Sequence, residues 1–149
     1  MKYAKRKLLA AAVVVGLGTG AGAQAPTQVS VFKSATCGCC AKWVEPLRAN
    51  GFAPAATNVD DLDAVKTKYH VPQAVQTCHT AVVGGYVIEG HVPASDIKRL
   101  LKERPAISGL AVGGMPAGSP GMEGGAPRHY DVLSFDKQGN TRVYASHGN

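Results

Sequence analysis

The stretch Val29–Asn50, VSVFKSATCGCCAKWVEPLRAN, decides how the rest of the chain is read. Val29, Val31 and Phe32 are β-branched or aromatic, which suits a half-buried strand. Ala41, Trp43, Val44, Leu47 and Arg48 then recur with roughly helical spacing, Thr36 stands where a cap belongs, and Asn50-Gly51 supplies the stop. Cys37, Cys39 and Cys40 are thereby placed on the first turn of a helix. Unpaired N–H groups and the positive end of the helix dipole favour thiolate there. Sulfur in that form is both a nucleophile and a soft-metal ligand. Trp43 reads as core, and Pro46 is expected to kink the helix by removing one hydrogen bond.

Outward from this turn, the pattern continues as alternating strand and helix. Gly51–Asp60 offers a second strand around Ala55–Val59, and Asp60 or Asp61 caps a helix running to about Tyr69, stopped by Pro72. Thr80–Val83 and Tyr86–Glu89 flank Gly84-Gly85, a hairpin signal. Ser95 or Ala94 opens a helix with Ile97, Leu100 and Leu101 on one face, ending before Pro105. The order β-α-β-α-β-β-α is the succession of a thioredoxin-like α/β domain, a mixed sheet flanked by helices. Strand-helix-strand at this length predicts a parallel pair with a right-handed crossover. From Ile107 to Arg128 the chain turns rich in Gly, Pro and Met, so residues 105–128 read as a loop, too irregular for strand or helix. Tyr130–Phe135 and Arg142–Tyr144, turned at Asp136–Asn140, predict a C-terminal β-hairpin within residues 129–145.

The N-terminus reads differently. Lys2, Lys5, Arg6 and Lys7 precede an apolar run from Leu8 to about Gly18 and the small residues Ala21-Gly22-Ala23. This is the pattern of a secretory signal peptide covering residues 1–23, with residues 24–149 as one mature domain. The run falls short of the ~20 residues that span a bilayer, so no membrane anchor is expected after cleavage. Four of the 16 basic residues leave with the leader, so the net charge of +6 drops to +2. The remaining basic cluster, Lys98-Arg99 and Lys102–Arg104, reads as a solvated helix face, and nucleic-acid binding is not supported.

Export permits disulfides. Three of the four cysteines, however, crowd into four positions, a poor framework for stapling a fold. C-x-x-C at a helix N-terminus is a thioredoxin-type redox turn, with Cys37 and Cys40 as the redox pair, while C-x-C is a compact bite for soft metals such as copper(I) or zinc. Cys78-His79, at the entry to the third strand, would face those sulfurs across the fold, where thioredoxin-like proteins usually carry a cis-proline. His91 follows the hairpin. Met115 and Met122 lie in a loop with little other apolar bulk, and thioethers are soft copper(I) ligands. His70, His129 and His147 read as surface residues.

Three motifs together, KSATCGCCAKW, CHTAVVGGYVIEGHVP and GLAVGGMPAGSPGME, resemble the CopG-like proteins, exported bacterial copper-resistance proteins whose domain was long catalogued as of unknown function. The resemblance runs from about Val29 to Glu123. It implies a thioredoxin-like fold, a periplasmic location and copper binding through the cysteine turn. Carried over, Cys37, Cys39, Cys40 and Cys78 would be copper ligands, and His79, His91, Met115 and Met122 fall in the other motifs. The expected protein binds copper(I), as one ion or a small sulfur-bridged cluster, and hands it to periplasmic copper-handling or redox proteins. An electron step between copper and the cysteine pair would make it a copper oxidoreductase. The alternatives are a thiol–disulfide oxidoreductase using Cys37 and Cys40, and a structural zinc site of Cys39, Cys40, Cys78 and His79.

Overall fold

A computed structural model describes residues 25–148; the expected leader, residues 1–23, lies outside the described residues. Strand β1 (Thr27–Lys33) leads through the cysteine loop into helix α1 (Gly38–Ala49), which returns the chain to β2 (Phe52–Asn58). β1 and β2 pair in parallel, Thr27 opposite Phe52 and Lys33 opposite Asn58. Helix α2 (Leu62–Lys68), a short 3₁₀ turn (Gln73–Val75), the antiparallel strands β3 (His79–Val83) and β4 (Tyr86–Glu89), and helix α3 (Ala94–Glu103) follow. The succession expected from the sequence is therefore the one observed. Gly84 and Gly85 both take positive φ, 56° and 89°, the conformation that a two-residue turn needs to match the twist of its strands.

One element contradicts the expected loop. Gly109–Val112 is a strand, β5, parallel to β4, and it is followed by β6 (Tyr130–Phe135) and β7 (Thr141–His147). The sheet thus has seven strands in the order β2-β1-β3-β4-β5-β6-β7. GLAV is buried at every position, so it shows no alternation and reads as a strand only once both its neighbours are known. The Gly/Pro-rich composition behind it masked that short apolar run. Its consequence is architectural: β5 joins the C-terminal hairpin to the sheet, and β7 runs to His147, past the expected Tyr144.

The two sheet faces bury different things. Val29, Val31, Ala81, Ile88, Leu110 and Val132 point toward α1 and α3, where Trp43, Val44, Leu47, Ile97 and Leu100 close the main core. The helix α1 stripe is thus Cys40, Trp43, Val44 and Leu47, while Ala41 and Arg48 face solvent. On the other face Val87, Ala111 and Phe135 meet Val71 and Val75 in a smaller cluster. Pro46 sits inside α1, which continues through it to Ala49. Thr36 does not cap that helix. The N-cap is Cys37 itself, and the Thr36 hydroxyl lies 3.1 Å from that of Ser34.

The basic face of α3 is also less idle than expected. The Arg99 guanidinium donates to the Tyr144 carbonyl at 2.7 Å and stacks 3.8 Å from that ring centroid. His147, expected at the surface, is 2.6 Å from Asp96 through Nε2 and stacks on Tyr130. These contacts clasp the last strand to α3. Removing the ring with His147→Ala leaves a buried Asp96 carboxyl without its partner, which costs about 1–3 kcal/mol in urea unfolding. Breaking the exposed Arg48–Glu45 pair with Arg48→Ala should cost under ~0.5 kcal/mol, and equal losses would contradict this ranking.

Candidate metal centre

The cysteine turn is held open toward β3 by ordinary backbone geometry. Cys37 is extended (φ −77°, ψ 93°) and begins the helix, so Cys39 and Cys40 fall in its first turn, among N–H groups without intrahelical partners. Cys37 and Cys40 are joined by a disulfide, while Cys39 and Cys78 are free thiols. Cys39 Sγ lies 3.5 Å from both Cys37 Sγ and Met115 Sδ. Cys40 Sγ lies 3.6 Å from the Cys78 carbonyl oxygen.

Across from this turn stand Cys78, just before β3, and His79, its first residue. The Cys78 Sγ and His79 Nδ1 are 3.4 Å apart. The His79 ring is 4.4 Å from Trp43 and 5.5 Å from His91, centroid to centroid. Two overlapping groups of four result: Cys37, Cys39, Cys40 and Cys78, then Cys40, Cys78, His79 and His91. Within each, one ligating atom per residue lies within 4.8 Å of all the others. The Gly/Met segment closes the remaining side. Pro120 accepts a hydrogen bond from His91 Nδ1 at 2.8 Å, which fixes the tautomer and leaves Nε2 with its lone pair. Gly121 (φ +85°) rests directly on the first turn of α1, where a Cβ would stand 2.9 Å from the Cys39 carbonyl and the Trp43 nitrogen. Only glycine lets the segment lie that close. Met122 makes backbone bonds within the Gly/Met segment itself, its amide donating to the Ser119 carbonyl and its carbonyl accepting from the Gly118 amide. His70 and His129 take no part, and His129 pairs with half-buried Asp131 at 3.3 Å.

Two residues that the sequence did not single out lie directly behind the site. Glu89 is wholly buried and accepts from the Thr77 amide at 2.7 Å, from the Thr80 hydroxyl at 2.8 Å and from Lys66, which is also buried. An acidic side chain ending the otherwise apolar strand YVIE was the available signal, since buried carboxylates are rare without a partner.

Burial sets the protonation of the site. Burial, with His91 and Lys66 nearby, pulls the His79 pKa down to about 3, and burial lowers that of His91 against the opposing pull of the Pro120 carbonyl. Burial, reinforced by Cys39, pushes Cys78 up to about 11. Neutral imidazoles are ready donors, whereas an ion taking Cys78 must displace its proton. His79 Nε2 and His91 Nε2 are buried with no hydrogen-bond partner among the described residues. Buried orphan nitrogens are costly, and a bound ion would satisfy them.

A pH dependence follows for the metal-free protein. The folded pKa of His79 lies below the unfolded value of ~6.5, so its contribution to stability is complete above that pH and declines as the pH falls toward 3. Urea unfolding between pH 6.5 and 5 should therefore weaken steadily. His79→Gln should flatten this slope by up to about 1.4 kcal/mol per pH unit. Identical slopes in the two proteins would refute the assignment.

Comparison with known proteins places this geometry. The family model described as "Protein of unknown function, DUF411" matches residues 75–122, the stretch from the loop before β3 to the Gly/Met segment. No curated protein sequence matches. Two solved structures, of copper resistance protein CopG in its form 2 and form 1, are 43% and 42% identical in sequence to this chain. Each superposes with a TM-score of 0.78, covering 83% of this chain and 99% of its own. At 43% identity across 99% of a solved relative, the chain belongs to the family of copper resistance protein CopG.

Proposed function

We propose that this protein is a periplasmic copper-handling protein that binds copper(I) between the cysteine turn of α1 and the Cys78-His79 entry to β3. The observation that carries the reading is the convergence of four sulfurs and two buried imidazole nitrogens, both Nε2 atoms unpartnered, into two overlapping groups. Thiolate and imidazole select copper or zinc over hard cations. Of the two, the relatives' name, copper resistance, favours copper. Cys40 and Cys78 belong to both groups, so a bridged cluster of more than one ion is the natural product of full loading. The Cys37–Cys40 disulfide withholds two of the sulfurs, so full loading requires its reduction, while the remaining donors are free to hold copper in the oxidised protein.

The disulfide also stores two oxidising equivalents. If two copper(I) ions deliver one electron each, the S–S bond opens to two thiolates and two copper(II) ions result; the reverse restores the bond. The protein would thereby interconvert the two copper states while its other donors hold the metal. Replacing Cys37 by Ser removes the disulfide and should abolish copper-dependent electron transfer, and a variant that transfers electrons unchanged would end this part of the reading.

One observation favours a second reading. Cys37 is half-buried and disulfide-bonded to a fully buried Cys40, the arrangement of an attacking and a resolving cysteine in a thiol–disulfide oxidoreductase. Insulin reduction by the metal-free protein separates the two.

For the favoured reading, anaerobic titration of the reduced mature chain against a competing copper(I) chelator should show tight uptake of more than one ion. Cys78→Ser, which removes a donor shared by both groups, should lower the count and weaken the remainder by about tenfold or more. The oxidised protein should take up less than the reduced one. Weak uptake, indifferent to Cys78→Ser and to reduction, would favour the oxidoreductase.

A further inference from the structure

The donors of the site lie at different depths. Cys40, His79 and His91 are sealed from solvent at 0% exposure. Cys39 and Cys78 are half-buried, and Met115 is 51% exposed with its Sδ 3.5 Å from Cys39 Sγ. The sequence of donors from solvent inward is therefore thioether, thiol, then thiol with imidazole. Met115 also stands on a segment whose far end is fixed, by the Pro120–His91 bond and the seat of Gly121 on α1. A flexible, exposed side chain is thus held with its sulfur against the outer thiol of the cluster.

Copper(I) passes between proteins by associative exchange, in which the incoming donor binds before the outgoing one leaves. Such a step needs a soft donor that a partner can reach, and the imidazoles and Cys40 are out of reach. A neutral thioether is a weaker donor than a thiolate, so it can accept copper(I) from ligands of its own strength and yield it to a thiolate behind it.

We propose that Met115 and Cys39 form the port through which copper(I) enters and leaves, and that the partner is a protein segment presenting copper(I) on exposed methionine thioethers. This rests on the copper-binding reading above. In the entry step a bond from copper to a partner thioether breaks as one to Met115 Sδ forms. The ion then passes to Cys39 Sγ, whose thiol proton goes to water. Copper stays in the +1 state throughout, and the thioethers gain and lose no proton.

The test is stopped-flow transfer of copper(I) from a synthetic methionine-rich peptide to the reduced chain, followed by copper-thiolate absorption, with the final copper count measured for each protein. Met115→Leu should slow transfer by about tenfold or more while the final count stays that of the wild type. Met115→Cys, which restores a soft donor, should recover the rate. A Met115→Leu protein that loads as fast as the wild type overturns the port. A Met115→Leu protein with a reduced final count also overturns it, because Met115 would then be a resident ligand. If the wild type takes no copper(I) from either the peptide or a small chelator, the copper reading itself falls, a result distinct from both.

Discussion

The carboxylate of Glu89 is the constraint on which the site depends. It is wholly buried at the end of β4, opposite Thr80, and its two oxygens gather the Thr77 amide, the Thr80 hydroxyl and the Lys66 ammonium. Burial raises its pKa, against which Lys66, Thr77 and Thr80 pull it back down. A buried pair of this kind adds little net stability over an apolar filling, but removing one partner leaves a charge stranded. What it provides here is placement. Thr77 is tied down one residue before Cys78, and the His79 carbonyl accepts from the Gly90 amide just past the end of β4. The two donors at the entry to β3 are therefore fixed relative to the sheet rather than carried on a loose loop.

Helix α1 supplies the opposing half through a different device. Its burial stripe sets Cys40 beneath the surface and Trp43 against the His79 ring, while the Trp43 indole donates to the Val92 carbonyl at 2.9 Å. That single side chain thus packs on the imidazole of β3 and bonds the segment just past His91. The Gly/Met segment completes the enclosure by orienting His91 and bringing Met115 to Cys39. Three parts of the chain, distant in sequence, share one small volume and are tied to one another, α1 through Trp43 and the Gly/Met segment through Pro120 and Gly121.

Much of this was legible in the sequence, for identifiable reasons. The strand, cysteine turn and helix of Val29–Asn50 announced themselves through periodicity, and the Gly84-Gly85 hairpin through turn chemistry. The meeting of Cys78 and His79 with the cysteine turn followed from topology once the strand order was read. β5 was not legible, because a four-residue run buried on both faces has no period to detect and lay in a glycine-rich stretch. The roles of Glu89, Lys66, Asp96 and His147 were hidden for a related reason. Each is polar and pairs with a residue far away in sequence, and only the folded register brings partners such as Asp96 and His147 within 2.6 Å. Local pattern finds elements, whereas buried polar pairs belong to the tertiary arrangement.

The most direct test of the central claim is copper K-edge X-ray absorption on the reduced, copper(I)-loaded chain. The account predicts a copper(I) edge and a first shell of mixed sulfur and nitrogen, the nitrogen lost when His79 and His91 are both replaced by Gln. A shell of nitrogen and oxygen alone, or one that those replacements leave unchanged, would contradict it.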